Sequence, residues 1–144
     1  MRKWWLCVCF FFVSQLLVAA KLQPVAPPFV GEWEAVYCGW WDDSTARGTY
    51  NFSFSATGAT QTFLQYYADR QGACVTRDRI ANLATGTYQV DSAEAREGKV
   101  FYAVQVKYTH LSSPLFHQII VISPDEIQVC MRPSPASCRP YRRR

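Results

Sequence analysis

Beyond its first twenty residues this 144-residue chain carries few side chains whose type and spacing could do chemistry: Cys38, Cys74, Cys130 and Cys138, His110 and His117, and the adjacent indoles of Trp40 and Trp41. The cysteines allow three pairings, and Cys38 with Cys74 and Cys130 with Cys138 are favoured, the second closing a short proline-bearing loop. A zinc site does not fit, because no C-x-x-C occurs and neither histidine is near a cysteine in sequence. His110 and His117 flank 111–116; if that stretch is a turn, they face each other across a hairpin and could hold a metal, but no third ligand follows at suitable spacing. Two ordinary strand-end histidines are therefore expected, with no metal and no cofactor. Ser112 and Ser113 lie near them without a carboxylate to orient a base, and neither a Gly-x-Ser-x-Gly elbow nor a His-Glu-x-x-His helix occurs. These absences argue against an enzyme.

The compartment follows from the opening residues. Arg2-Lys3 leads into an apolar run from Trp4 and closes on Val18-Ala19-Ala20, which reads as an export signal over 1–20 with cleavage after Ala20. The mature chain is then expected in a secreted or periplasmic, disulfide-permissive setting, with no membrane span left after cleavage. Without Arg2 and Lys3, 13 basic residues face 11 acidic ones, too small an excess to suggest nucleic acid. The charge is uneven: Arg132, Arg139, Arg142, Arg143 and Arg144 sit in the last thirteen residues while the body is mildly acidic. A solvated, basic end is expected there. Asn51-Phe52-Ser53 is a glycosylation sequon, relevant only in a eukaryotic source.

The elements that must position these residues are strands. A proline-bearing lead-in over 21–29 precedes a β domain over 30–132, and a Pro/Arg-rich tail over 133–144 follows, expected to wrap the domain because its prolines cannot continue a central strand. Extended segments are predicted at Gly31–Cys38, Gly48–Phe54, Thr60–Tyr67, Ala73–Ile80, Thr85–Asp91, Lys99–Tyr108, Leu115–Ile122 and Glu126–Met131. Within Gly48–Phe54, Tyr50, Phe52 and Phe54 share one face. Within Lys99–Tyr108, Val100, Tyr102, Val104, Val106 and Tyr108 do. Turn residues such as Glu97-Gly98 and Ser123-Pro124-Asp125 separate the strands by short connections, so neighbours pair antiparallel. The fold class is all-β: an eight-stranded antiparallel up-and-down barrel without substantial helix after the signal peptide, and a monomer is expected.

Gly31-Glu32-Trp33 opening the first strand resembles the Gly-x-Trp of the lipocalin and wider calycin families. That resemblance implies a barrel floor plugged by Trp33 and covered by an arginine after the last strand, the place of Arg132. The cation over the indole face is worth about 0.5 to 2 kcal/mol. The chain is similar in particular to small exported bacterial lipocalin-like proteins of undefined role, through Gly31-Glu32-Trp33 with Cys38, Tyr67-Ala68-Asp69 with Cys74, and Gly86-Thr87-Tyr88. It departs from typical lipocalins in lacking their C-terminal helix and in being shorter.

Two functions emerge as expectations. In the first, a small hydrophobic or amphipathic ligand binds inside the barrel against Tyr50, Phe52, Phe54, Tyr88, Tyr102 and Val104, with Trp40 and Trp41 over the mouth. In the second the barrel is filled by its own side chains and presents Trp40, Trp41 and the basic tail to an extracellular protein partner, as a protease or lysozyme inhibitor or a host-facing effector would.

Overall fold

A computed structural model describes residues 25–41, 46–68, 74–131 and 138–144. The expected export leader, Asp69 and Arg132 lie outside them. Nine strands form: β1 (Gly31–Ala35), β2 (Gly39–Trp41), β3 (Ala46–Phe54), β4 (Ala59–Tyr67), β5 (Arg77–Arg96), β6 (Lys99–Tyr108), β7 (Leu115–Ser123), β8 (Glu126–Met131) and β9 (Arg139–Arg143). From β3 to β9 each pairs antiparallel with the next, and β1 pairs with both β3 and β9. Eight strands therefore close into an up-and-down ring, with β2 continuing the line of β1 along β3. No helix occurs among the described residues.

The eight strands of the ring are not quite the eight expected. The segments predicted separately at Ala73–Ile80 and Thr85–Asp91 are joined, from Arg77 onward, in one 20-residue strand, β5. The residues between them, Ala81-Asn82-Leu83-Ala84, include neither glycine nor proline, so nothing stops the strand; a bulge there lets it bend instead. β5 pairs with β4 as far as Thr87 and with β6 from Gly86 onward. Gly86 permits the handover, because a Cβ at this position would stand 2.3 Å from the Lys107 carbonyl oxygen.

The missing eighth strand comes from the tail. Instead of wrapping the barrel as a solvated end, Arg139–Arg143 lies between β8 and β1 and seals the ring. Pro140 is tolerated near the start of the strand, where its carbonyl accepts the Val36 N–H at 3.2 Å. Tyr141 turns inward and is buried, while its neighbours Pro140 and Arg142 stay exposed, the alternation a barrel wall requires.

Inward residues of β1, β3, β6, β7, β8 and β9 build one core. It contains Trp33, Phe52, Phe54, Val104, Val106, Ile119, Ile127, Val129 and Tyr141, with Phe29 from the lead-in inserted at one end. Cys38–Cys74 and Cys130–Cys138 are both disulfide-bonded. The first ties the interval between β1 and β2 to the residues preceding β5, and the second ties the end of β8 to the start of β9. Both lie at the end of the barrel opposite Trp33, the mouth.

Candidate functional site: the lumen and its two ends

Trp33 closes the floor. It is fully buried and its indole N–H donates to the Phe29 carbonyl at 2.7 Å. The guanidinium of Arg143 covers it, 4.4 Å from the indole centroid; Arg132, from which that cation was expected, lies outside the described residues. Arg143 also donates to the carbonyls of Pro124, Val30 and Pro28 at 2.9, 3.1 and 3.2 Å. Gly31 explains the first residue of the Gly-x-Trp pair: its φ is +143°, and a Cβ would stand 2.4 Å from an Arg143 terminal nitrogen. The motif is a floor in which the glycine makes room for the cation that covers the tryptophan.

Above the floor the lumen is occupied. The Phe29 ring sits 5.1 Å from that of Tyr102, 5.4 Å from Phe54 and 5.7 Å from Tyr88. Phe52 reaches Tyr50 at 5.4 Å, Tyr141 at 5.3 Å and His117 at 6.2 Å. The last contact decides the character of the interior, since β3 and β7 stand opposite each other in a ring of eight and the two side chains meet across it. Phe52, Phe54 and Val104, expected as ligand-lining, are 2, 3 and 1% exposed. Tyr50, Tyr88 and Tyr102 are half-buried against the same core.

Toward the mouth the lining turns polar. Tyr108 and Tyr141 are both buried; burial first, then the nearby Tyr50, raises their phenol pKa, that of Tyr141 to about 12. Burial raises Tyr88 as well, while its hydroxyl donates to the Ser55 carbonyl at 2.6 Å. These phenols stay protonated near neutral pH. His117 faces inward, paired with Val104 rather than across a hairpin from His110, which is exposed in the turn after β6 with its ring beside Tyr108. His117 is buried, burial lowers its pKa, and neither ring nitrogen has a hydrogen-bond partner. Among the described residues no group of three His, Cys, Asp or Glu side chains forms a metal site.

Trp40 and Trp41 enter the wall through their backbones, paired with Arg47 and Ala46 at the mouth end of β3. Their side chains lie outside the described part of the structure. Between β1 and β2 the ladder is interrupted, and a polar cluster fills the break. Ala35 N–H donates to the Asn51 side-chain oxygen at 3.0 Å. Buried Glu34 accepts from Thr49 at 3.4 Å, from the Tyr67 hydroxyl, and from Arg77 at 3.0 Å. Burial, followed by the Glu34 hydrogen bond, raises the Tyr67 pKa. Asn51, the sequon residue, is fully buried with its amide donating to Thr49 at 3.2 Å, so the folded wall presents no acceptor for a glycan there.

A cavity of about 460 Å³ opens beside the handover point of β5, lined by Thr85, Gly86, Thr87, Lys107, Tyr108, Thr109 and Leu111. Of these only Tyr108 belongs to the faces expected to point inward.

Sequence reasoning missed the Glu34 cluster and the part played by Arg143. One signal was available for Glu34, an acidic residue between the inward Trp33 and Ala35. Its burial depends on Tyr67 and Arg77, 33 and 43 residues away, which no local pattern brings together. Compared with known proteins, the chain matches no family model, no curated protein and no solved structure.

Proposed function

We propose that this protein is an exported, lipocalin-like barrel that works as a protein-interaction module, acting through its mouth and outer wall rather than by carrying a ligand in its lumen. The observation that supports this most directly is the meeting of Phe52 and His117 across the ring. A lumen crossed by its own side chains has no ligand-sized space at that level, whereas carrier sites enclose several hundred cubic ångströms. The export reading draws on the basic, then apolar, opening residues and on two disulfides, bonds that persist in oxidising compartments.

The test has two arms. Apolar and amphipathic probes such as palmitate and 1-anilinonaphthalene-8-sulfonate are titrated while tryptophan and probe fluorescence are followed, and the purified protein is extracted for mass spectrometry. An interaction module shows no saturable response and no co-purified lipid. In the second arm, extracellular fractions are captured on the intact protein and on a Trp40→Ala, Trp41→Ala variant of equal thermal stability. A partner retained by the first and lost by the second supports the reading. A stoichiometric lipid overturns it.

One observation favours a second reading. The two unpartnered nitrogens of His117 are buried beside Phe52, whose ring also meets those of Tyr50 and Tyr141. An amphipathic ligand entering between His117 and Phe52 would supply the missing hydrogen bonds. Under that reading probe binding saturates and is weakened by His117→Leu.

A further inference from the structure

We infer that the mouth half of β5 is a self-association edge at which a second copy of this chain pairs antiparallel. Among the described residues, the strand from Arg77 to Ala84 has a partner on its β4 side alone, because pairing with β6 begins at Gly86. Residues on both faces of this stretch are exposed, including Ile80 at 52% and Leu83 at 47%.

Edge strands are normally protected by proline, by lysine or by charged side chains projecting over the edge. Here that protection is limited to the bulge between Asn82 and Ala84 and the carboxylate of Asp78. The stretch contains neither proline nor lysine. Its two cations are engaged within their own subunit, Arg77 on Glu34 at 3.0 Å and Arg79 over the Tyr66 ring at 4.3 Å.

The sequence of the edge fits its own copy. Two antiparallel strands related by a two-fold axis through the sheet must pair residues of the same face, so the registers available centre on single residues. Centring on Arg79 opposes two guanidinium groups. Centring on Ile80 sets the exposed isoleucine against its counterpart, Arg79 against Ala81 and Asp78 against Asn82, so no like charges meet. This inference does not depend on the proposed function, because it concerns backbone pairing along β5 and needs no foreign partner.

Sedimentation velocity on the disulfide-bonded protein over a concentration series tests it, with Ile80→Lys as the disrupting variant and Phe116→Lys, exposed on β7, as the control. The expected result is a concentration-dependent dimer whose dissociation constant rises about tenfold or more in Ile80→Lys and is unchanged in Phe116→Lys. Ile80→Cys adds a readout should the lysine variant misfold: under mild oxidation it forms a covalent dimer through the two-fold pair, and Phe116→Cys does not. A protein monomeric up to about 100 µM overturns the inference, as does a dimer equally strong in Ile80→Lys or an Ile80→Cys variant no more cross-linked than Phe116→Cys.

Discussion

At the scale of single residues the barrel depends on a few side chains that accept only one neighbour. Arg143 covers Trp33 and donates to three carbonyls, and Gly31 leaves the room it needs. Gly31→Ala places a Cβ in that room at a positive φ, so a loss of about 1 to 3 kcal/mol is expected in urea denaturation. Arg143→Met, which keeps the stem and removes the donors, is expected to cost a similar amount. His117 makes a prediction of opposite sign. Its folded pKa lies below the ordinary 6.5 because burial disfavours the imidazolium, so the unfolded chain takes up the proton more readily. Its contribution is then harmless above about pH 6.5 and destabilises progressively as the pH falls from there toward the folded pKa. His117→Leu, similar in size and free of unpartnered nitrogens, should raise stability at pH 7 by about 1 to 3 kcal/mol. It should also flatten the decline in melting temperature between pH 7 and pH 5. A variant that is less stable at pH 7 and keeps the decline would show that the imidazole has a partner.

At the scale of elements, the weak point is the break between β1 and β2. Three features span it: the Asn51 side chain on Ala35 N–H, the Pro140 carbonyl on Val36 N–H, and Glu34 gathering Thr49, Tyr67 and Arg77. Asn51→Ala leaves a buried backbone donor unpaired and is expected to destabilise by about 1 to 3 kcal/mol in thermal or urea unfolding. Hydrogen exchange should then accelerate first at Ala35 and Val36, while β6 to β8 stay protected. The strand pattern was legible wherever alternation was clean, as in β3 and β6, whose faces follow from Tyr50, Phe52 and Phe54 and from Tyr102, Val104 and Val106. It was not legible in β5. A strand that changes partner halfway along needs a bulge and a Cβ-free crossing at Gly86, and neither writes a period into the sequence.

At the scale of the whole molecule, closure rests on the five residues of β9. A chain ending at Cys138 lacks β9 and leaves β1 and β8 as bare edges. We expect it to lose its cooperative unfolding transition and to aggregate, observable by near-ultraviolet circular dichroism and light scattering. A solvated tail would be dispensable, so a truncated chain with an unchanged transition counts against the sealed ring. The two ends are secured differently: the floor by Trp33 and Arg143, the mouth by two disulfides whose spans of 36 and 8 residues correspond to about 4 and about 2.5 kcal/mol in the chain-entropy model.

What the sequence determined by itself was the class of fold and its covalent framework. Short alternating apolar segments between turn residues can bury their faces only by pairing with neighbours and curling shut, and four cysteines in a small domain have few ways to pair. What only the tertiary structure decided was which residues meet across the ring. Arg143 reaches Trp33, Glu34 finds Tyr67 and Arg77, and Phe52 meets His117, because strand register and curvature set those distances over many residues of intervening chain. Whether the barrel is hollow or filled belongs to the same class. Inward-facing residues can be read from a period of two, but the space left between opposite walls depends on side chains that are neighbours only after closure.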